Sequence, residues 1–348
     1  MFLNSINHFR AIAILAIVAG HCFYLVDASF NTFPERVFCN LLTGGTVLFV
    51  FISGFLFHHI FYKRYQFKKF MAGKFKKVLL PYTLLSILPI AMLVLQGDAY
   101  YDLYAPQGSG WFNLYAVPAL KYYVTGAFLT AYWYIPFAMI LFVMSPLHIA
   151  FIQFKLKHQL LITFLLFVVS LFLHRPLHDI LILQAVVYFS PVYLFGIICS
   201  QQKEMIYSTL KNKEIYLLVL AIGVAALQAA LGKTGNYHKA PMDYQGLDLM
   251  MVQKIVLCVF FMVWLHRFEK LESKFINILA STSFAIYFTH GYFISFIRQV
   301  KPLLGINAIE SPWLWYPLVT VGMILICLVL ALGLKKILPN YSRYIIGY

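Results

Sequence analysis

Long apolar segments recur along the whole chain and are separated by shorter polar segments. A helix needs about 20 mainly apolar residues to cross the roughly 30 Å hydrocarbon core of a membrane, and these segments have that length. The pattern predicts about ten membrane-spanning helices, at approximately residues 9–27, 40–62, 78–96, 132–152, 159–174, 181–200, 215–231, 250–266, 276–297 and 314–336. We therefore expect an all-α, polytopic integral membrane protein with one membrane-embedded domain over residues 1–348.

Composition narrows the class of protein further. Of the 348 residues, 62% are hydrophobic and 11% are charged, and the mean hydropathy is +0.80. Soluble domains have about 25% charged residues, so these values exclude an ordinary cytosolic enzyme. The five cysteines are scattered without paired spacing, which argues against a disulfide scaffold. The histidines are dispersed as well, and we expect no metal site.

The net charge of +15 needs an explanation other than nucleic-acid binding. In membrane proteins Lys and Arg collect in the cytoplasmic loops. If the N-terminus is cytoplasmic, the inner segments hold 19 of the 27 Lys and Arg residues and the outer segments hold seven. Both termini are therefore predicted to be cytoplasmic, and no nucleic-acid partner is expected.

Two segments between the predicted spans have unusual compositions. Residues 63–77 hold seven basic residues, which favours an anchor on anionic lipid headgroups at the inner surface. Residues 97–131 are rich in Tyr and Gly and suit an amphipathic or re-entrant lid better than a complete span. Tyr and Trp also favour membrane interfaces in general, so a ligand role for this outer segment stays open.

Two ionisable residues of the first predicted helix lie where lipid is expected. Arg10 and His21 are eleven residues apart, and eleven steps of about 100° return nearly to the starting direction, so both face the same way. The helical rise separates them by about 16 Å, which places Arg10 at the cytoplasmic interface and His21 slightly beyond the bilayer centre. Arg10 alone is equally compatible with a terminal anchor. A histidine at mid-membrane depth is costly and indicates a functional group.

Polar residues interrupt two later helices. Ser283, Tyr287 and His290 are spaced at i, i+4 and i+7 and therefore share a face of the ninth span. Hydrogen bonding between helices is an equally good interpretation of that cluster. Ser53 and Gly54 interrupt the apolar sequence FVFISGFLF in the second span, where small residues commonly allow helices to pack closely.

Together and in this order, these pieces resemble the membrane-bound acyltransferase-3 family, bacterial proteins that acylate sugars and lipids of the envelope. The resemblance spans nearly the whole chain and covers an Arg-x10-His helix, a Ser-Gly-Phe helix, a basic pair before a Pro-Tyr helix start, a WYIPF run, a Tyr-Phe-x-x-x-Tyr-x-x-Gly helix and a Ser-x-x-Ile-Tyr-x-x-His helix. The matching residues are Arg10, His21, Phe49, Ser53, Gly54, Phe55, Lys76, Lys77, Pro81, Tyr82, Trp133, Tyr134, Pro146, 188–196, Ser283, Ile286, Tyr287 and His290. The WYIPF form is most similar to the exopolysaccharide and enterobacterial-common-antigen O-acetyltransferase branch.

The resemblance implies acyl-CoA, usually acetyl-CoA, as the donor and a hydroxyl of an envelope or exported polysaccharide, or of its lipid-linked precursor, as the acceptor. It places the protein in the bacterial inner membrane, where membrane lipids and other polysaccharide-assembly proteins are further expected partners. Arg10, Lys76, Lys77 and Trp133 would bind the donor, with the CoA phosphates among the first three. The family often has Arg at the two lysine positions, and Lys lacks the planar fork that binds phosphate in a bidentate manner.

The resemblance also suggests the catalytic residues. His21 would act as general base on the sugar hydroxyl, and Ser53, Tyr287 or His290 would stabilise the developing oxyanion. In a second mechanism, His21 would accept the acetyl group first and pass it on. The usual Ser-Tyr of the late helix is Ser283 followed by Phe284 here, which removes one candidate hydroxyl.

A multi-span carrier or flippase is the alternative function. Such proteins also bury Arg and His along a polar path. Transporters often have inverted halves with broken helices in matching positions, and the sequence has no such symmetry. The acyltransferase is therefore the favoured hypothesis.

Overall fold

A computed structural model describes residues 3–97, 104–177, 181–306 and 308–348 of the chain. These residues are almost entirely helical, which confirms the all-α prediction. Two strands of two residues each, β1 (Arg175–Pro176) and β2 (His238–Lys239), pair in parallel. Residues 98–103, which belong to the predicted outer lid, lie outside the described residues.

The described part of the chain contains seventeen α-helices. In the first half they are α1 (Asn4–Cys22), α2 (Phe33–Leu42), α3 (Gly45–Leu56), α4 (Phe67–Lys74), α5 (Leu80–Gln96), α6 (Val117–Thr125), α7 (Tyr134–Val143), α8 (Ser145–Gln153) and α9 (Leu156–Leu173). In the second half they are α10 (Ile182–Gln201), α11 (Lys203–Leu210), α12 (Glu214–Ala230), α13 (Leu249–His266), α14 (Lys274–Ser281), α15 (Ser283–Leu303), α16 (Pro312–Ile337) and α17 (Ser342–Ile345). Short π-helical turns at Phe57–Phe61, Phe75–Leu79 and Phe112–Ala116 and a 3-10 turn at Tyr62–Arg64 join or extend them.

Seven helical segments of the described chain are long and apolar enough to cross a membrane, and two bent helix pairs raise the number to nine. The pairs are α7 with α8, bent by 54°, and α11 with α12, bent by 90°. The sequence predicts about ten spans, and the difference lies at residues 276–297. That segment divides at Thr282 into α14 and α15, and polar residues such as His290 and Arg298 lower the hydropathy of α15. The protein is thus an all-α, multi-pass membrane protein.

The basic segment 63–77, which the sequence places between two predicted spans, is largely helical. It contains α4 and most of the π-helical turn that leads directly into α5, so one helical segment extends from Phe67 to Gln96. The physical reason is that α4 is amphipathic: Phe70 is buried while Lys68 and Lys69 are exposed.

Helix α1 lies inside the bundle, in contact with α2, α3, α13, α14, α15 and α16. At its start, the backbone amides of Asn4 and Ser5 donate to the carboxylate of Glu269, at 2.7 and 3.0 Å. Near its end, the carbonyl oxygen of Ala19 accepts from the hydroxyl of Tyr316 at 3.0 Å. These contacts hold both ends of the helix that contains Arg10 and His21.

Helices α1 and α15 pack side by side and run in the same direction. Three contacts follow one another in the same order along both segments, from Arg10 with Ser283, through His21 with His290, to Asp27 with Lys301. A ligand that lies between α1 and α15 would therefore contact residues of both helices along its whole length.

Helices α3 and α10 cross at two glycines, as the Ser53-Gly54 sequence predicts. A Cβ atom added at Gly54 would overlap the carbonyl oxygen of Tyr193, and one added at Gly196 would overlap the carbonyl oxygen of Phe51. The two backbones are consequently in direct contact, a close approach that small residues permit in membrane bundles.

We predict that Gly54→Ala separates α3 from α10 and destabilises the protein by about 1–3 kcal/mol or more, because overpacking forces backbone shifts. Size-exclusion chromatography of the detergent-purified variant should show a smaller monodisperse fraction. Thermal unfolding of the same sample should give a lower melting temperature. Gly223→Ala in α12 is the matched control, because nothing lies within 4 Å of its added Cβ. Equal melting temperatures for the two variants would contradict the close contact.

Candidate active site

A cavity of about 510 Å³ lies between α1 and α15. Its other walls are residues 43–46, which join α2 to α3, and residues 126–134, which join α6 to α7. Its polar and charged side chains are His21, Tyr24, Thr43, Thr46, Thr130, Tyr134, Arg175, Asn236, His238, Ser283, Tyr287 and Arg298. The volume is within the range of about 300–1,000 Å³ that is usual for small-molecule sites.

His21 lies on the cavity wall and packs against His290 of α15, with the ring centroids 5.5 Å apart. The Nδ1 atom of His290 donates to the carbonyl oxygen of Ile286 at 3.0 Å, one helical turn earlier. This bond leaves the lone pair on Nε2, which is buried and has no hydrogen-bond partner among the described residues. His290 does not line the cavity itself, so it acts on the site through His21.

Arg10 is one end of a polar contact that leads to the cavity. Its guanidinium donates to the hydroxyl oxygen of Ser283 at 3.0 Å, and Ser283 lines the cavity. Because Ser283 accepts from Arg10, its own hydroxyl hydrogen is available to a group in the cavity. Arg10 and His21 both contact α15, which agrees with the shared face expected from their spacing.

Two other residues predicted from the sequence lie close to the cavity by different routes. Tyr287 lines it, and its hydroxyl donates to the carbonyl oxygen of Ala131. Ser53 is not part of the lining, but it lies near Tyr134, which is part of it. Ser53 therefore supports a cavity residue and does not face the cavity itself.

The predicted donor-binding residues do not lie together. Lys76 and Lys77 are exposed on the turn before α5, whereas Lys74 is half-buried. The Lys74 ammonium lies 4.1 Å from the ring centroid of Phe142 and about 5 Å from two other rings, and the charges of Arg10 and Lys77 act on it. Lys74 is thus the basic residue that packs into the bundle near Arg10.

Trp133 lies elsewhere, on the cavity wall beside Arg175. The Arg175 guanidinium is 5.3 Å from the Trp133 ring centroid, and Trp133 stacks on Phe189. The backbone of Arg175 is held by the pairing of β1 with β2, which also brings His238 to the cavity. Trp133 is therefore grouped with Arg175 and not with Arg10.

Sequence reasoning missed Lys74, Arg175 and Arg298 as individual site residues. Arg175 and Arg298 count only as loop charges in the sequence, because nothing there shows that β1 and β2 pair. A signal does exist for Arg298. It follows Tyr287 by eleven residues, the same interval that separates Arg10 from His21, and so shares its helix face.

No group of three or more His, Cys, Asp or Glu side chains in the described part of the chain is placed to hold a metal ion. The five cysteines are all free and buried. The side chains that line the cavity offer imidazole, hydroxyl and guanidinium groups for binding and catalysis.

The fold and cavity define a multi-pass membrane protein with a histidine on the wall of a cavity between helices. Its sequence matches the acyltransferase-3 family model, described as an acyltransferase domain, over residues 3–332. The chain belongs to this family, which confirms the resemblance and makes the protein a membrane acyltransferase. No curated protein and no solved structure matches the chain.

The cavity wall at residues 126–134 is fixed to α15 by hydrogen bonds from two tyrosines. The Tyr287 hydroxyl donates to Ala131, and the Tyr132 hydroxyl donates to the carbonyl oxygen of Phe288 at 2.9 Å. Gly291 of α15 adds a close approach, since its added Cβ would lie 2.8 Å from the carbonyl oxygen of Thr130. The position of residues 126–134 is thus fixed relative to α15.

We predict that Tyr132→Phe loosens this wall, because it removes a buried hydrogen bond worth about 0.5–1.5 kcal/mol. Hydrogen–deuterium exchange should show faster exchange of the amides of residues 126–131. Thermal unfolding should give a lower melting temperature. Tyr24→Phe is the control, because Tyr24 is largely exposed at the cavity rim. Unchanged exchange in Tyr132→Phe would show that the wall is held by other contacts.

Proposed function

We propose that the protein transfers an acetyl group from cytoplasmic acetyl-CoA to a hydroxyl of an envelope or exported polysaccharide, or of its lipid-linked precursor, in the bacterial inner membrane. The observation that carries the proposal is the line from Arg10 through Ser283 to the cavity with His21. Family membership supports acyl transfer, and the sequence likeness to the exopolysaccharide and enterobacterial-common-antigen branch supports the acetyl donor and sugar acceptor.

The donor would bind with its phosphates at the start of α1. The charge of Arg10 acts on Lys74 there, and the exposed Lys76 and Lys77 add positive charge. Bonds between charged groups and phosphate are strong. The pantetheine arm would pass Ser283 and carry the thioester about 16 Å along α1, which is the separation of Arg10 and His21.

At His21, the imidazole would take the proton of the sugar hydroxyl as the hydroxyl oxygen attacks the thioester carbonyl carbon. The carbon–sulfur bond then breaks, and the CoA thiolate leaves with the proton that His21 has taken. His21 suits this role because it lines the cavity and none of the described residues hydrogen-bonds its ring.

The oxyanion of this reaction needs a hydrogen-bond donor. Ser283 lines the cavity but precedes His290 by seven residues, about 10 Å of helical rise, so it would contact the pantetheine arm and not the thioester at His21. Tyr287 lines the cavity three residues before His290, and it would supply the donor if its hydroxyl exchanged the bond to Ala131 for one to the oxyanion. Ser53 and His290 would act indirectly, through Tyr134 and His21, as positioning residues.

We predict that His21→Ala lowers acetyl transfer by roughly 10²–10⁴-fold, the usual contribution of a general base. Transfer of labelled acetyl groups from acetyl-CoA to envelope polysaccharide would be measured with detergent-purified protein, while acetyl-CoA binding should persist. His158→Ala is the control, because His158 is exposed on α9. Wild-type transfer by His21→Ala would rule out the assignment, whereas wild-type protein that is folded but transfers nothing would favour the carrier hypothesis.

For Arg10→Ala we predict weaker acetyl-CoA binding, by roughly ten- to hundredfold, because one charge-assisted contact is worth about 1.5–3 kcal/mol. Equilibrium binding of labelled acetyl-CoA would measure the change. Arg64→Ala provides the comparison, because Arg64 is an exposed arginine of the basic segment 63–77. If both variants bind acetyl-CoA like the wild type, Arg10 is a membrane anchor and not a donor ligand.

A further inference from the structure

Arg175 is a buried cation that lacks a hydrogen-bonded partner among the described residues. It is 6% exposed, and its side chain makes no hydrogen bond or ion pair with any residue in the described ranges. Its Nε atom is fully buried and unsatisfied. The guanidinium lies against the faces of Trp133 and Phe189, at 5.3 and 5.7 Å from the ring centroids, and lines the cavity.

Asp248 does not neutralise the Arg175 guanidinium. The charge of Asp248 acts on Arg175 from beyond ion-pair distance. The Asp248 carboxylate is occupied by the Tyr188 hydroxyl at 2.7 Å and the Met251 amide at 3.1 Å. A buried guanidinium without a hydrogen-bonded partner is costly, so its fork is placed for a ligand that enters the cavity.

Other cavity residues add to the positive potential. Arg298 lines the cavity from the exposed part of α15, and no acidic side chain belongs to the lining that the structure describes. Half-buried Asn236 also lines the cavity, and its buried Oδ1 atom, which has no partner among the described residues, is an acceptor suited to a sugar hydroxyl and not to the anion. The site thus has two arginines and no opposing carboxylate.

The donor phosphates are an unsuitable occupant of this position. Arg175 is close enough to His21 for their charges to interact, whereas Arg10 lies about 16 Å away along α1. A CoA molecule has its thioester and its phosphates at opposite ends of the pantetheine arm. If the thioester reaches His21, the phosphates are far from Arg175, and the anion at Arg175 belongs to the other substrate.

We propose that Arg175, assisted by Arg298, binds an anionic group of the acceptor sugar, a carboxylate or a phosphate next to the hydroxyl that is acylated. The inference rests on the proposed function and narrows its acceptor to acidic glycans. Each guanidinium fork can pair with two oxygens of either anion. Stacking on Trp133 orients the Arg175 fork, which makes Arg175 the selective residue and Arg298 an outer electrostatic contact.

The test measures direct binding to the full-length purified protein in lipid nanodiscs. The probes are a glucuronic-acid-containing disaccharide, the same disaccharide with its carboxyl group reduced, and a phosphorylated neutral disaccharide. We expect the wild type to bind at least one of the anionic probes roughly ten- to hundredfold more tightly than the reduced probe. Which anionic probe binds more tightly distinguishes a carboxylate from a phosphate.

Arg175→Gln should abolish this preference, and Arg175→Lys should restore part of it because the charge returns without the fork. Arg343→Gln is the matched control, because Arg343 is an exposed arginine on α17, remote in the sequence from the cavity lining. If Arg175→Gln fails to fold, Arg298→Gln tests the same site and should weaken the preference several-fold.

Equal binding of charged and reduced probes by the wild type would overturn the proposal, as would a preference that survives in folded Arg175→Gln and Arg298→Gln. Acetyl transfer from acetyl-CoA is measured separately. Transfer to the reduced probe as fast as to the charged ones would leave the acyltransferase proposal standing and refute the anionic acceptor. Arg175-dependent binding without any transfer would refute the acyltransferase proposal and retain the anion site.

Discussion

The structure depends on how an apolar bundle accommodates the polar residues of α1. Arg10 and His21 are too costly to face lipid, so other helices must surround them. Helices α2, α3, α13, α14, α15 and α16 contact α1, and α15 supplies polar partners to both residues in the same order along its length. The cavity exists because α1 and α15 run in parallel with polar groups between them, while the ends of α1 are held by Glu269 and Tyr316.

The second constraint is the direct backbone contact of α3 and α10. Since Gly54 and Gly196 leave no space for a side chain, the two helices cross at a fixed point. Helix α10 brings Phe189 under Trp133 and Arg175, while α3 brings Ser53 to Tyr134. A crossing outside the cavity thus sets the positions of side chains that line it.

The sequence predicts those features that depend on local periodicity. The helical spans, the shared face of Arg10 and His21 and the close packing at Gly54 follow from spacing and residue size. Features that depend on pairing between distant segments are not visible there. Arg175 reaches the cavity because β1 pairs with β2, 63 residues later in the chain, and Lys74 becomes a site candidate because Phe61, Phe70 and Phe142 enclose it.

The two ends of the site differ in the way they present positive charge. At the start of α1, Arg10 is bonded to Ser283 and accompanied by exposed lysines, an arrangement suited to a large polyanion that arrives from water. At the other end, Arg175 is buried and stacked on aromatic rings, which suits a single anion in a defined orientation. His21 shares α1 with Arg10 and is reached by the charge of Arg175, so a donor held by Arg10 and an acceptor held by Arg175 would meet at the same imidazole. Two substrates that approach from opposite ends need no exchange of positions, which favours direct transfer over an acetyl-histidine intermediate.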